Sequence, residues 1–276
     1  MVKYSLEICN GVVKMQNSEN SKESKNKITI YEQEYIEMLF CNSNHELPLH
    51  SHESWCIGVV TEGEVLFKIK DQESSLKRGM LFLIPSNTGV KITPVKKYKY
   101  ITICIKENLR KPFFELVFDQ YFLKLNDMDD FLDICHDFMW NRNTDKLISD
   151  LVELVKPLLC VDSLKKHHKV SEPIQKAITY LKSHANEKFD LDVLSEAAYI
   201  SKYHLVRQFK KEMGVSPHQY YIQTKIRIAK ANILENKSEI EIATELNYAD
   251  QSHLCRQFKQ MMGISLQDYK KNIRKK

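Results

Sequence analysis

The chain has 276 residues, of which 43% are hydrophobic and 28% are charged, a composition typical of about two globular domains. Its apolar runs, such as 155–161, are too short to cross a bilayer, and its start does not resemble a signal peptide, so we expect a cytoplasmic protein without a membrane partner. Residues 171–276 hold 18 basic and 12 acidic residues, so the net charge of +5 arises in the C-terminal part. A positive excess of this kind favours a polyanionic partner.

Seven cysteines are spread along the chain, an odd number without a Cys-x-x-Cys pair. This spacing predicts neither a disulfide framework nor a zinc knuckle. We expect most of these cysteines to be buried as small apolar side chains, with a redox-sensing thiol as the alternative.

Residues 16–27 are polar and predict a mobile loop, after which short apolar or alternating runs typical of strands continue to about residue 105. The clearest of these runs are 56–60, 65–69, 80–84 and 101–105. Between the first two, Thr61-Glu-Gly-Glu predicts a hairpin turn. Short strands separated by turns predict a small barrel or jelly roll.

A closed barrel of this size can hold one small ligand. The candidate contacts to such a ligand are His50, His52, Trp55 and Tyr100. For the two histidines the alternative is a hydrogen-bonded pair at the barrel mouth, and for the two aromatic residues it is ordinary core packing. Two histidines without an evident third or fourth ligand do not make a metal site, so we expect no metal and no cofactor.

After Pro112 the pattern turns helical, with apolar residues at helical spacing from Phe131 to Met139 and from Leu147 to Leu158. This apolar surface predicts either contacts between two copies of the chain or helices that cover their own barrel. Residues 162–170 are polar and basic and predict an interdomain linker.

The C-terminal part contains a repeat with a period of 49 residues: His204-Leu-Val-Arg-Gln-Phe-Lys returns as His253-Leu-Cys-Arg-Gln-Phe-Lys. The same period aligns Tyr199 with Tyr248. Each copy predicts two short helices around a tight turn. The second helix of each copy has a capping residue at both ends, namely Ser201 and Gly214 in the first and Asp250 and Gly263 in the second.

The second helix of each copy has a polar and basic side. It carries Tyr203, Val206, Arg207 and Lys210 in the first copy, and Gln251, Ser252, His253, Arg256 and Lys259 in the second. Such a surface suits the major groove, where Arg can bind guanine and Gln can bind adenine. A solvated amphipathic helix is the alternative. Pro217 begins a helix between the copies that runs to about residue 235, long enough at ~27 Å to set two helices into successive major grooves.

These features of residues 171–276 resemble the DNA-binding domain of the AraC/XylS family, in which a linker helix joins two helix-turn-helix units. The most specific match is 242–269, with Tyr-Ala-Asp-Gln-Ser-His-Leu-Cys-Arg-Gln-Phe-Lys followed by Gly-Ile-Ser. The resemblance implies base contacts from Tyr203, Val206 and Arg207, and from Gln251, Ser252, His253, Cys255 and Arg256. Asn247 and Leu266 depart from the family, which usually has Gly and Pro there.

In the N-terminal part, His50-Ser-His52, Glu62-Gly63 and the pair Gly79 and Pro85 resemble the cupin-like sensor domain of the same family. The implied fold is α+β, with a cupin-like barrel and its helices at 1–161, a linker at 162–170 and an all-α double helix-turn-helix domain at 171–276.

The resemblance implies a sequence-specific transcription regulator, more often an activator, that binds double-stranded DNA and is not an enzyme. A small-molecule effector, RNA polymerase and a second copy of the chain are the implied partners. Two other classes are weighed against it: a cupin enzyme with a DNA-binding tail, and a DNA-repair methyl acceptor. The first would need a histidine just after Pro85, where this chain reads Ser-Asn-Thr-Gly-Val-Lys, and the second would need a cysteine in a Pro-Cys-His context, which this chain lacks.

Overall fold

The computed structural model describes residues 5–9, 12–16, 26–33, 35–106, 120–158 and 170–275. The predicted loop at 16–27, the residues just after Pro112 and the predicted linker at 162–170 lie wholly or almost wholly outside these ranges. In the described part, no helix is both long enough and apolar enough to cross a membrane.

Most strands of the described chain form two facing sheets. The strands are β1 (Ser5–Cys9), β2 (Val12–Gln16), β3 (Lys27–Gln33), β4 (Ile36–Ser43), β5 (Leu47–Ser51), β6 (Trp55–Glu62), β7 (Glu64–Ile69), β8 (Gln72–Lys77), β9 (Met80–Ile84), β10 (Gly89–Pro94), β11 (Tyr98–Ile105), β12 (Phe122–Lys124) and β13 (Ile273–Lys275). Strands β1 and β2 pair with each other, the smaller sheet has the order β5-β10-β7-β8, and the larger has the order β12-β9-β6-β11-β4-β3-β13. Side chains from both sheets share one buried cluster, which is the barrel interior.

The larger sheet is buried on both faces because its strands alternate two apolar sets of side chains. On β6, Cys56 and Val60 point into the barrel interior, whereas Trp55, Ile57 and Val59 belong to a second buried cluster. That cluster is completed by helices α1 (Asp129–Asn141) and α2 (Thr144–Val155). A 3₁₀ turn, Lys156–Leu158, follows them. The helices therefore cover their own barrel, one of the two arrangements that the sequence left open.

The predicted hairpin at Thr61-Glu-Gly-Glu is wrong, although the chain does turn there. Strand β6 pairs with β9 and β11, whereas β7 pairs with β8 and β10 in the other sheet. Gly63 has φ +77, and a Cβ on it would lie 1.9 Å from the carbonyl oxygen of Lys97. Turn residues determine where a chain reverses, but the partner of each strand depends on how the whole barrel closes.

Seven helices form the C-terminal part: α3 (Glu172–Ser183), α4 (Leu191–Ala197), α5 (Lys202–Met213), α6 (Pro217–Leu234), α7 (Glu239–Glu245), α8 (Gln251–Met262) and α9 (Leu266–Asn272). The predicted caps are confirmed. Ser201 accepts a hydrogen bond from the amide of His204, and Asp250 accepts one from the amide of His253. Gly214 and Gly263 end their helices in the left-handed conformation that glycine adopts without strain.

The alignment of Tyr199 with Tyr248 is wrong by one residue. The left-handed residue of the first turn is Tyr199, and that of the second is Asn247, 48 residues later. The buried Leu194 and Ile242 show the same separation of 48, whereas α5 and α8 begin 49 residues apart. The second turn therefore contains one additional residue before its N-cap. A sequence comparison misses this shift because tyrosines stand at both 199 and 248.

The two parts of the chain are in extensive contact. Helix α6 and the last two helices share the buried cluster of the barrel interior, whereas the core of the first helix-turn-helix unit is separate. Strand β13 adds to the larger sheet in parallel with β3, with Ile273 opposite Ile30. The predicted α+β class is confirmed, and this terminal strand is an addition to the domain predicted to be all-α.

Candidate nucleic-acid interface

The first candidate reading surface lies on α5. Asp190 caps the preceding helix α4 and Ser201 caps α5, which sets the two helices around a tight turn. Leu205 and Phe209 are fully buried on one side of α5. On the other side, Tyr203 is 77% exposed and Val206 is 36% exposed. The predicted residues Arg207 and Lys210 are exposed as well, so the four lie on one accessible surface.

The second candidate reading surface lies on α8, where Leu254 and Phe258 are the fully buried pair. The exposed predicted residues are Gln251, Ser252, His253, Arg256 and Lys259. Cys255 is half-buried, and its thiol donates to Oε2 of Glu239 at 3.3 Å. Burial, followed by this hydrogen bond, raises the pKa of Cys255 to about 11, so it remains a neutral thiol.

Both reading helices have their C-terminal ends against the barrel. Gly214 lies so close to Gly89 that a Cβ on Gly214 would be 2.1 Å from the amide nitrogen of Gly89. At the end of α8, His45 Nε2 lies 3.0 Å from the carbonyl of Gln260, and Asn26 donates to the carbonyl of Gly263 at 3.4 Å. The N-terminal halves, which carry most of the predicted base contacts, therefore remain accessible while the barrel holds the other ends.

The linker helix α6 is attached to the barrel by a cluster around Glu53. Its Oε1 accepts from the hydroxyl of Tyr220 at 2.7 Å, and it lies 3.0 Å from Lys182 Nζ and 3.4 Å from Arg227 Nη1. Partial burial raises the pKa of Glu53, but the charges of Arg227 and Lys182 and the hydroxyl of Tyr220 outweigh it, so the pKa is lowered. Glu53 is therefore ionised at neutral pH.

A second ion pair joins the same helix to the larger sheet. Lys230 Nζ lies 3.3 Å from Oε1 of Glu37, and their side chains are 23% and 20% exposed. Burial alone would lower the pKa of Lys230, but the charge of Glu37 reverses this and raises it. Removing one partner would leave a largely covered charge without compensation.

His50 and His52 lie together at this boundary, with their ring centroids 4.9 Å apart. His50 Nδ1 is 2.7 Å from the carbonyl of Pro48. Burial, and then the nearby Arg227, lower the pKa of His50 despite the Pro48 carbonyl. Burial, His50, Arg227 and Lys230 lower the pKa of His52 further, so both rings are neutral at pH 7.

Nε2 of Gln223, a buried donor beside these histidines, has no hydrogen-bond acceptor among the described residues, and Nη1 of Arg227 has the 3.4 Å ion pair with Glu53 but no hydrogen bond of good geometry. The other amide atom of Gln223, Oε1, accepts from the backbone nitrogen of Ser51 at 3.2 Å, and Arg227 Nη2 donates to the carbonyl of Ser51. Unpaired buried donors are costly, which makes this boundary a candidate site for an acceptor from outside the chain.

The other two predicted ligand contacts lie elsewhere. Tyr100 packs in the barrel interior against Phe67 and Phe82, at centroid distances of 6.3 and 5.6 Å. Trp55 is on the opposite face of the larger sheet, beneath the helices α1 and α2. The structure therefore brings together His50 and His52, whereas Tyr100 is part of the core of the barrel interior and Trp55 belongs to the core on the other face of the larger sheet.

For the alternative of a redox-sensing thiol, the described cysteines include one close pair: Cys56 and Cys104 face each other on neighbouring strands, with Sγ atoms 3.0 Å apart. Their hydrogen bond, together with burial, raises the pKa of Cys56 well above its ordinary value. A buried protonated thiol is a poor nucleophile, so the pair packs as part of the core.

Sequence reasoning missed Glu53, Gln223, Arg227 and Glu239. None of them lies in a repeat or a motif. The first three are recognisable only once β5 and α6, more than 160 residues apart in the chain, are in contact.

Comparisons with known proteins agree with this organisation. Residues 39–151 match the model of an AraC-like ligand binding domain, and residues 194–272 match that of a helix-turn-helix domain. A relative in Bacillus subtilis, described as the uncharacterized HTH-type transcriptional regulator YbfI, is 25% identical over 201 residues, which cover 67% of this chain and 73% of the relative.

Two solved structures of ToxT from Vibrio cholerae have a similar fold. One, at 1.65 Å resolution, has a TM-score of 0.57 at 9% identity and covers 87% of this chain and 99% of ToxT. The other, wild-type ToxT bound to an unsaturated fatty acid, has a TM-score of 0.52 at 10% identity and covers 91% and 96%. From the two family matches, the regulator relative and the two helix-turn-helix units, we conclude that this chain is a DNA-binding transcription regulator of the AraC/XylS family.

Proposed function

We propose that the chain activates transcription by reading two short half-sites, one with α5 and one with α8. The observation that carries this proposal is the pair of equivalent helices, each with an accessible N-terminal half and each attached to the same 18-residue helix α6. A linker of this length suits binding in successive major grooves, which are about 34 Å apart.

In the first half-site, Arg207 reads a base edge while Tyr203 and Val206 make apolar contacts, and Lys210 binds a phosphate. In the second half-site the base contacts come from Gln251, Ser252, His253, Cys255 and Arg256, and Lys259 binds a phosphate. Lys210 and Lys259 are both in the last turn of their helices, further from the predicted base contacts. Phosphate contacts set position, and base contacts set sequence preference.

We infer that an effector binds at the boundary between the barrel and α6, beside His50 and His52. It carries a carboxylate or a similar acceptor group, which accepts from the unpaired Nε2 of Gln223 and from Nη1 of Arg227, whose present partner is the ion pair with Glu53. The fatty acid in one ToxT structure is a molecule of this chemical class. An anionic group here would compete with Glu53 for Arg227, loosen the attachment of α6 and change how the two reading helices meet DNA.

We further propose that the active form is a homodimer in the cytoplasm and that it contacts RNA polymerase when bound at a promoter. The surface that supports dimerisation is at the end of α1, where Trp140 is 80% exposed.

Selection of bound sequences from a random duplex library tests the reading function. We expect two enriched half-sites about one helical turn apart. The double variant Arg207→Ala with Arg256→Ala should lose this enrichment. A wild-type protein that enriches no sequence, with or without added small carboxylic acids, would contradict the proposal.

The variant Glu53→Gln tests the route from the effector to the DNA. It should change the affinity for the selected site severalfold without effector, and added carboxylic acids should then have little further effect. Glu64→Gln is the matched control, because Glu64 pairs with Lys77 and Ser75 within the barrel alone. Equal affinities for the wild type and both variants would show that this cluster does not couple the two parts.

A further inference from the structure

Glu239 occupies a corner of the second reading surface. It is the first residue of α7, and its Oε2 accepts from Nε2 of Gln251 at 2.6 Å and from the thiol of Cys255 at 3.3 Å. Gln251 and Cys255 are four residues apart on α8 and so share one face. Both are among the residues proposed above to contact bases.

The first unit has no carboxylate at the equivalent position. The separation of 48 residues between the first helices of the two units makes Leu191 the equivalent of Glu239. Lys202 is the equivalent of Gln251, and it forms an ion pair with Asp192, the residue that follows Leu191 on α4. Val206, the equivalent of Cys255, is apolar. In the first unit the carboxylate of Asp192 thus contacts Lys202, which is not among the proposed base contacts, whereas in the second unit Glu239 contacts two of them.

The chemistry of the Gln251 amide depends on this contact. A free Gln side chain can bind adenine in the major groove through both its oxygen and its nitrogen. In this structure Glu239 accepts one of the two N–H groups of Gln251, which restricts the rotation of the amide and leaves its oxygen as the acceptor that a base can approach. A carboxylate next to it adds negative charge, and the neutral thiol of Cys255 is turned to the same carboxylate.

We propose that Glu239 is a positioning residue that sets the base preference of the second half-site by holding Gln251. An oxygen acceptor selects a base with an amino group at its major-groove edge, which is adenine or cytosine. Guanine and thymine present only acceptors at the corresponding positions and are disfavoured. This inference rests on the proposed function of α8 as a reading helix.

The test uses the full-length protein and the site selected by the wild type, with each base pair of the second half-site changed in turn. In Glu239→Leu, which installs the residue of the first unit, the preference for adenine or cytosine over guanine or thymine at one base pair should fall about fivefold or more. The isosteric Glu239→Gln should lower it in the same direction. The capping box of α7 uses Ser238 and Glu241, so these changes leave that cap intact.

The double variant of Glu239 and Gln251 distinguishes a positioning role of Glu239 from a purely structural one. In a Gln251→Ala background, Glu239→Leu should cause no further change in base preference, because it acts through Gln251. Asp192→Asn, the control in the first unit, should leave preferences in the second half-site unchanged.

Unchanged preferences in both Glu239 variants, or an equal loss of affinity for all sequences, would overturn the proposal while leaving the reading function intact. Failure of the wild type to select any site would instead refute the proposed function itself.

Discussion

The two helix-turn-helix units share their capping pattern but differ in surface chemistry and in attachment. The first presents exposed apolar side chains, with Tyr203 and Val206 beside Arg207, whereas the second presents polar ones arranged around Glu239. Thymine methyl groups suit the first surface, and hydrogen-bonding base edges suit the second. The two units therefore share the way their helices are capped but present different side-chain chemistry on the surfaces proposed to contact DNA.

The units also differ in how deeply they are joined to the barrel. The core of the second unit belongs to the same buried cluster as the barrel interior, whereas the core of the first is separate and contains helix α3. The first unit meets the barrel through the close approach of Gly214 to Gly89, the packing of Leu49 and the ion pair of Lys182 with Glu53. We infer that the second helix-turn-helix unit is held firmly against the barrel, whereas the first can change its position relative to the barrel.

The largest effect is expected from substitutions in the cores of the two helix-turn-helix units, and it tests whether the units differ in how they are joined to the barrel. Phe209 and Phe258 are equivalent and fully buried, and Phe→Ala at either position should cost about 3–5 kcal/mol. Both tryptophans of the chain lie in its N-terminal part. In urea, Phe258→Ala should shift the tryptophan fluorescence transition to lower concentration, because its core is shared with the barrel. Phe209→Ala should shift only part of the far-UV circular dichroism signal.

Equal fluorescence transitions in the two variants would show that the chain unfolds as one cooperative unit or that the second helix-turn-helix unit is not held firmly against the barrel.

Substitutions of Arg207 and Arg256 compare the sequence preference of the two units on DNA. Arg256→Ala should relax sequence choice at one base pair of the second half-site at a cost of about 1–3 kcal/mol, and Arg207→Ala should do the same in the first. Competition binding with duplexes changed at single base pairs measures both. If affinity for all sequences fell equally, the arginine concerned would be a phosphate contact.

The attachment of α6 should depend on pH through His50 and His52. Their pKa values are lowered in the folded chain by burial and by Arg227, with Lys230 contributing at His52, so the unfolded chain binds protons more readily below 6.5. The free energy of unfolding should therefore fall as the pH is lowered from about 7.5 to about 5.5, with His52 contributing more than His50. Urea titrations across this range measure it, and the double variant to Asn should flatten the dependence. An equal slope in the variant would assign it to other groups.

The smallest expected effect concerns the two lysines that follow the base contacts. Lys210→Ala and Lys259→Ala should each weaken binding to all sequences and lower the slope of log affinity against log salt by about 1. Binding measured at a series of salt concentrations gives this slope. A slope equal to that of the wild type would remove that lysine from the phosphate contacts.

The sequence predicted the strands of the barrel and the caps of the reading helices because these depend on neighbours within a few residues. Ser201 bonds an amide three residues away, and Asn247 takes the left-handed conformation that its short side chain tolerates. It failed at Gly63, where the turn was recognised but the strands on either side belong to different sheets. It also missed the additional residue in the second turn, because matching tyrosines concealed it.

What the amino-acid sequence determined by itself is the local design: short strands, two capped helix pairs and a repeat that identifies the family. The tertiary structure alone decided which of these elements touch. Ser51 and Gln223 are 172 residues apart in the chain, and Glu37 and Lys230 are 193 apart, yet both pairs join the barrel to α6. Hydrogen bonds and ion pairs between such distant residues leave no periodic pattern, since only the closed fold brings their atoms within bonding distance.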